Sequence, residues 1–358
     1  MNILAFESSC DETAASVVEA ADGLISVKSS IVASQIETHR LYGGVVPEIA
    51  SRAHTEVISK ITYEALEAAR LSLSDVDLVA VTSNPGLIGA LLVAVNFAKS
   101  LAAANGIPLV AVDHIKGHIA ASYIGEDTPK PPFIALAVSG GHTSIYRVEG
   151  YTKMAVIGST RDDAIGEAFD KIGRMIGLSY PAGRDFDALA RDGFIKATAD
   201  TENFYSKYKK SDAYRDTGMA LPSPALRDGS LDFSFSGLKT AAINLLHRHE
   251  QRGVEIDREL LAARYTYEAV EAVARQVSQA LQNNPEHNLV MAGGVAANSH
   301  LRKRLAEVAK TAGVRLFTPP LSLCGDNAAM IGAQGYYEYL EGKLADSSLN
   351  ASALDSME

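Results

Sequence analysis

The sequence predicts a two-lobed α/β protein made by duplication, with a cleft between the lobes. Three observations carry this reading. The chain has 358 residues, more than one core comfortably serves when a domain takes roughly 150. An apolar run, a small polar loop and a second apolar run (residues 3–6, 7–13 and 14–18) return at 133–148 around the paired Gly140 and Gly141. Elsewhere helical and strand periods alternate, as in sheets covered by helices.

Taken in order, residues 3–6 and 14–18 read as strands and 48–70 as an amphipathic helix. Residues 78–82 form a short buried strand, 86–105 a helix and 109–112 a strand. A helix over 114–123 follows, capped by Asp113. The stretch 125–132 holds three prolines and reads as the hinge between a first lobe, 1–131, and a second, 132–325. In the second lobe strands are expected at 133–139 and 143–148, and helices at 163–176 and 186–191. A polar, weakly periodic stretch then runs to about 230. Strand 232–235, helices 237–249 and 259–282, strand 288–291 and helix 296–312 complete the lobe. The closing helix, 326–342, is expected to pack back near the first lobe, and the polar residues 343–358 to fray.

Composition narrows the class. With 47% hydrophobic and 21% charged residues, the chain can bury a core throughout and is neither fibrous nor disordered. Two cysteines, Cys10 and Cys324, are too few for a disulfide framework and suit a reducing compartment. No basic leader precedes the first apolar run, so a cytoplasmic location is expected. The apolar stretch 87–104 is interrupted by Asn96 and Lys99, falls short of the roughly 20 residues of a membrane span, and reads as a buried helix. A net charge of −10 excludes nucleic-acid binding by bulk attraction, which needs clustered cations. An RNA partner must therefore meet a local patch or a second protein. Residues 191–215 offer six cations with Phe204, Tyr205, Tyr208 and Tyr214 interleaved; the same stretch also reads as a solvated surface.

Several patterns carry chemistry. His114 and His118, four apart at the start of a helix, project from one face and have metal-ligand spacing. A metalloprotease of the zincin kind needs Glu directly after the first histidine, and Ile115 stands there. Asp326, opening the last helix, is either an N-cap or the carboxylate that completes a two-histidine, one-carboxylate set. The loop Ser139 to His142 after an apolar strand can close backbone N–H groups on a phosphate, because glycine puts no Cβ in the way; a plain hairpin turn has the same composition. The turn Gly293-Gly294 before Asn298 ends a strand and opens a helix, a place suited to anions. Cys10 and Cys324 are read as small buried fillers rather than nucleophiles.

Nine segments together go further. ESSCDETAASV from Glu7, YGGVVPEIASRAH from Tyr42, NPGLIGALLVA from Asn84, HIKGH from His114, AVSGGHT from Ala137, FDKIGRMIGLSYPAG from Phe169, FSFSGLKT from Phe233, AGGVAANSHLR from Ala292 and CGDNAAMIG from Cys324 run in order along the chain. In them the sequence resembles the tRNA N6-adenosine threonylcarbamoyltransferase family. The resemblance implies the duplicated fold of actin, sugar kinases and Hsp70-type ATPases, with two lobes around a nucleotide cleft. It implies transfer of a threonylcarbamoyl group from threonylcarbamoyl-adenylate to N6 of the adenosine 3′ of the anticodon, in tRNAs reading codons that begin with A. It assigns a divalent metal, iron or else zinc, to His114, His118 and Asp326. Nucleotide and substrate contacts fall on Ala137, Val138, Ser139, Gly140, Gly141, Asp170, Gly183, Asp187 and Asn298. Asp11 and Glu12 match an acidic pair near the transferred group, and His142 with Asp11 stand where an N6 proton could be taken. Partners implied are tRNA, a degenerate paralogue of the same fold and a small ATPase. Two positions depart from the family: YPAG stands for YPGG around Gly183, and glycine precedes Asp326 where many members have threonine. Rival readings are a kinase or ATPase of the same fold, the metalloprotease that lacks its base, and a nucleotide-gated scaffold that is not an enzyme.

Overall fold

A computed structural model describes residues 1–226, 228–285 and 288–354. Two five-stranded sheets organise it, and they share one topology. The first is ordered β3-β2-β1-β4-β5, with β1 Asn2–Glu7, β2 Glu12–Ala21, β3 Leu24–Ser34, β4 Leu78–Asn84 and β5 Leu109–Asp113. The second, β8-β7-β6-β9-β10, repeats it with β6 Phe133–Val138, β7 Thr143–Val148, β8 Met154–Ser159, β9 Asn288–Ala292 and β10 Arg315–Phe317. In each, the first three strands form an antiparallel meander and the last two add in parallel. Each meander has a register shift between its second and third strands, at Val17/Val18 and at Ile145/Tyr146. Central strands buried on both faces read as continuous apolar runs, and NILAFE and FIALAV are such runs.

The helices make three layers. On the outer face of the first sheet lie α2 (Pro47–Ala69) and α3 (Ile88–Asn105), after a short α1 (Ile36–Arg40). On the outer face of the second lie α5 (Ile165–Met175), α6 (Gly183–Thr198), α9 (Ser236–Gln251), α10 (Arg258–Asn283) and α11 (Ser299–Ala312); the short α7 (Phe204–Tyr208) and α8 (Asp212–Arg215) extend this layer. The middle layer is a pair, α4 (His114–Ala120) and α12 (Ala328–Leu340), packed on each other between the sheets. Each has crossed over: α4 follows β5 yet lies against β6 and β9, while α12 follows β10 yet covers β1, β2, β4 and β5. Small residues permit this. A Cβ at Gly117 would stand 2.6 Å from Ile331 Cδ1, and one at Gly335 would stand 2.7 Å from Ala80 Cβ.

The differences from expectation have local causes. Strands β3, β8 and β10 and helix α1 have weak or short apolar patterns and were not expected. Residues 232–235 are not a strand; Phe233 makes a single bridge to Thr160, and Asp232 accepts from Ser159 N–H instead. Helix α6 spans twice or more the expected 186–191, and part of the stretch to 230 is helical in α7 and α8. The segment 343–354 does not hang free. Ala345 N–H donates to Leu109 O (2.8 Å), Ser352 N–H to Ser83 O (2.9 Å) and Lys99 Nζ to Leu349 O (2.7 Å); residues 355–358 lie outside the described part. By length and composition α3 alone among the described helices could cross a membrane. Here its Ala90, Leu91, Ala94, Val95, Ala98 and Ala102 are buried.

The close seat of α12 predicts that Gly335→Val overpacks the middle layer, at about 1–3 kcal/mol. A thermal melt should show the midpoint lowered by several degrees, and an unchanged midpoint would contradict the packing.

Candidate functional site

The crossing of the middle helices brings their N-terminal ends to one floor between the lobes. Asp113 caps α4, its Oδ1 accepting from Ile115 N–H (2.9 Å) and Lys116 N–H (3.1 Å), which sets His114 and His118 on the helix face turned to α12. Asp326 is not the cap of the last helix. Asn327 takes that place, its Oδ1 accepting from Met330 N–H at 3.0 Å, so the Asp326 carboxylate is released to face the imidazoles. Asp326 Oδ1 lies 3.2 Å from His118 Nε2 and 3.7 Å from His114 Nε2. The three ligand atoms fall within 4.8 Å of one another.

The donor set fits a metal ion. His114 Nδ1–H donates to Glu7 Oε2 at 2.9 Å, so Nε2, facing Asp326, is the nitrogen that would lose its proton to a metal ion. Glu7 also accepts from Thr82 Oγ1 (2.6 Å) and from Ser9 N–H. A carboxylate behind a ligating histidine is the usual arrangement around such sites, fixing tautomer and ring orientation. His118 is 1% exposed; its Nδ1 has no hydrogen-bond partner among the described residues, and its Nε2 faces the Asp326 carboxylate at 3.2 Å. Two imidazoles and one carboxylate converging in a largely buried pocket form a set that a metal ion would satisfy. Burial pushes the Glu7 carboxyl up, but the charge and hydrogen bond of His114 prevail and hold it below the usual range. Burial works against a charged His114, yet Glu7 and Asp326 carry it up to about 9. Asp326 is depressed, burial notwithstanding, by His114 and His118. Sequence reasoning missed Glu7 as the orienting residue. Its only signal was an acid at the end of an apolar strand, beside a loop already rich in acids.

Two cavities open from this floor. One of about 790 Å3 runs between Asp11, Glu12, Asp170, Gly183, Asp187, Val295 and Asn298. The other, of about 490 Å3, is lined by Ser9, Asp11, the 43–45 and 85–87 turns, Ser139 to His142 and Arg174. Asp11, Gly140, Asp170, Tyr180 and Asp326 belong to both. Thus His114, Asp326, Asp11, Ser139, Gly140, Gly141 and His142 meet in one cavity, and Glu12, Asp170, Gly183, Asp187 and Asn298 in the other. Ala137 and Val138 line neither; they are buried in β6, with Gly293 folded so closely on Val138 that a Cβ there would sit 2.3 Å from the Val138 carbonyl oxygen. Three of the residues also build the wall. Asp170 Oδ1 accepts from Ala182 N–H (2.8 Å), holding the YPAG loop. Asp187 accepts from Ser299 N–H (3.2 Å), and Asn298 caps α11 through Leu301 N–H (2.8 Å).

The acidic loop is held from behind by a directed chain of buried polar groups. Val46 N–H donates to His39 Nδ1 (3.3 Å), and His39 Nε2–H to Gln35 Oε1 (3.1 Å). Gln35 Nε2–H reaches His54 Nδ1 (3.4 Å), which also accepts from Thr13 Oγ1 (2.7 Å), and His54 Nε2–H donates to Cys10 O (3.0 Å). Burial lowers the His54 pKa, keeping it neutral for this role. In front, burial and then Asp326 and Asp11 push Glu12 up to about 9. Burial and the nearby His114 and His118 push His142 down to about 4. Both thiols are raised above the ordinary value by burial, which disfavours a nucleophilic thiolate; Cys324 is buried as expected, whereas Cys10 is half-buried and lines the smaller cavity. The aromatic residues of 191–215 are not an RNA platform: Phe204, Tyr205 and Tyr208 are buried in the core, Lys207 pairs with Asp200 and Lys196 with Asp257 and Glu259.

Residues 26–333 match the family model described as tRNA N6-adenosine threonylcarbamoyltransferase. The chain belongs to that family. Proteins of that name from Moorella thermoacetica and Geobacillus thermodenitrificans are 48% and 47% identical over 350 residues, 98% of this chain and 95% of theirs. One from Clostridium botulinum is 45% identical over 351 residues, 98% of this chain and 96% of its own. Among solved structures, HypF from T. kodakarensis covers 99% of this chain and 49% of its own, with a TM-score of 0.55 at 14% identity. A phosphate- and nucleotide-bound HypF covers 95% and 46%, with a TM-score of 0.52 at 15%. These two speak for the fold alone, a duplicated two-lobed arrangement. Family enzymes act on tRNA, and the His114, His118 and Asp326 group has the chemistry to bind a metal ion.

Loading the purified chain with Zn2+ or Fe2+ and measuring metal by elemental analysis tests the donor set. Wild type should hold about one ion per chain, His118→Ala and Asp326→Ala far less. Glu7→Gln should weaken binding by about 10–100-fold. Equal metal in all four proteins would remove these residues from the site.

Proposed function

We propose that this protein forms N6-threonylcarbamoyladenosine in tRNA, taking the group from threonylcarbamoyl-adenylate and placing it on the adenosine 3′ of the anticodon in tRNAs that read codons beginning with A. The observation that carries the reading is the match of family segments to one floor, where the three ligand residues, the acidic pair and the glycine loop adjoin two cavities. The two lobes are read as 1–131 and 132–325, with 326–342 returning to the first and closing the cleft from within.

In this reading the larger cavity takes the adenylate, with Asp187 and Asn298 beside its sugar and Gly140, which lines both cavities, toward its phosphate. His114, His118 and Asp326 would hold the metal ion, iron(II) or else zinc, which when bound would supply Lewis-acid polarisation of the threonylcarbamoyl carbonyl. The N6 nitrogen forms a bond to the carbamoyl carbon, the bond from that carbon to the phosphate oxygen breaks, and AMP leaves with the electron pair. The N6 proton passes to a base. Asp11 and the half-buried His142 stand at the cavity that reaches this point and are the candidates for that base. Glu12, held protonated by its surroundings, is placed to donate a hydrogen bond near the transferred group. The protein's main contribution is position and exclusion of water from the anhydride.

A degenerate paralogue and a small ATPase are the partners proposed, since a chain of net charge −10 needs help to hold RNA. A cytoplasmic location follows from the substrate. A kinase or ATPase of the same fold gives no role to the two histidines. A metalloprotease needs a carboxylate where Ile115 lies fully buried.

Single-turnover transfer from labelled donor to unmodified tRNA, with the partners present, tests the reading. Label should enter tRNA with the wild type and fall by about 100-fold or more with His114→Ala and Asp326→Ala, the scale of losing a main electrostatic group. Transfer that survives both substitutions, or is absent from the wild type, defeats it.

A further inference from the structure

Transfer between two nucleotides needs two pockets that meet at one carbonyl, and the donor accounts for only the larger cavity. The second, of about 490 Å3, has walls from both lobes. The first lobe contributes Gly43, Gly44 and Val45 and the turn Pro85 to Leu87; the second contributes His142, Lys171 and Arg174. The segment 42–54 is the family stretch YGGVVPEIASRAH, and nothing in the donor cavity explains its first half. Its anchoring is deliberate. Val46 hangs from His39 (3.3 Å), and Leu87 N–H donates to Ser9 O (2.8 Å). Gly86 is pressed so closely on the acidic loop that a Cβ would lie 2.6 Å from Ser9 O.

The mouth of this cavity has the chemistry of a single-stranded RNA contact. Tyr42 is 60% exposed and Leu41 83%, an aromatic and an aliphatic residue standing out beside the entrance. Arg174 is exposed and makes no ion pair among the described residues. Its Nη1 instead donates to Gly43 O across the gap between lobes, and Arg40 Nε donates to Tyr180 O (3.2 Å) close by. Lys171 is already matched by Asp163 and Glu167. Arg174 is therefore the cation free to exchange a carbonyl for a phosphate.

We propose that the smaller cavity is the acceptor pocket, taking one adenine of a tRNA anticodon loop splayed out of its stack, with Tyr42 as the stacking platform and Arg174 as the contact to the adjoining phosphate. This deepens the function proposed above and rests on it. A base that reacts at its exocyclic nitrogen must leave the stack to be reached, and splayed RNA bases are held on aromatic side chains. The two cavities join at Asp11, Gly140 and Asp326, which line both, so an adenine entering here presents its amine to the donor. Arriving RNA displaces Gly43 from Arg174, so the contact that bridges the lobes is exchanged for one to substrate.

The test uses the protein with the partners that activity requires. An anticodon stem-loop carrying a photoreactive azidoadenosine at the acceptor position is irradiated in the complex, and attachment sites are mapped by mass spectrometry. Attachment within 41–45, 85–87 or at His142 is expected; attachment confined to 183–187 and 294–298, or none, overturns the pocket. Gly44 has open space at its Cβ, so Gly44→Trp should fill the cavity with the fold intact, Gly44→Ala serving as the mild control. Losing the base contact should lower kcat/KM for tRNA about tenfold, with affinity for a non-hydrolysable donor analogue unchanged. Arg174→Ala should reduce the salt slope of tRNA binding by about 1, and Arg174→Lys should restore it. Equal loss of donor affinity, or wild-type kcat/KM in Gly44→Trp, overturns the assignment. A wild type that never labels tRNA counts against the function, while the cross-link map still decides the pocket.

Discussion

Everything at the cleft depends on the crossing of α4 and α12 between the two sheets. Each helix leaves its own lobe's last strand and buries itself against the other lobe's sheet, so the core is continuous through the middle layer. Close contact at Gly117 and Ile331 sets the distance between the helices. That distance sets where His114, His118 and Asp326 meet. The floor is therefore rigid because it is core, and freedom is left to the mouth, where single contacts such as Arg40 to Tyr180 and Arg174 to Gly43 join the lobes.

The floor collects charge that a stability-optimised core would avoid. Glu7, Asp11, Glu12 and Asp326 lie around two histidines in largely buried surroundings. Buried like charges disfavour one another, and the chain answers in two ways. One carboxylate is paired with His114, and another, Glu12, is held in its protonated form. The polar chain from His39 to Cys10 spends further buried hydrogen bonds on placing this loop. Such an arrangement suits a site whose occupants carry the balancing charge.

How much of this was legible follows from which signals are local. The central strands were plain because a strand buried on both faces is apolar throughout, as in FIALAV. The duplication was visible in two strand-loop-strand units, although its full extent, five strands in the same order, rests on β3, β8 and β10, whose patterns are diluted by serines or cut to three residues. His114 and His118 declared themselves by spacing. Asp326 was ambiguous between cap and ligand, since sequence cannot tell which of Asp326 and Asn327 turns to the helix. The support by Glu7 and by His54 depends on approaches across 107 and 44 residues, and no local pattern encodes those. The aromatic residues at 204–214 misled in the other direction, because interleaved lysines look alike whether the rings between them face solvent or core.

The exchange of helices also bears on what the halves are worth apart. Each half carries a complete five-stranded sheet and its outer helices, but the helix that covers the sheet's inner face belongs to the other half. A fragment ending near residue 131 would expose the apolar face of β1 and β4 to water, and the remainder would lack α4 over β6 and β9. Neither is a folding unit in its own right. The repeat is thus less two domains joined by a linker than a handshake, and a chain severed at the hinge would have to reassemble from both pieces before it had a binding site at all.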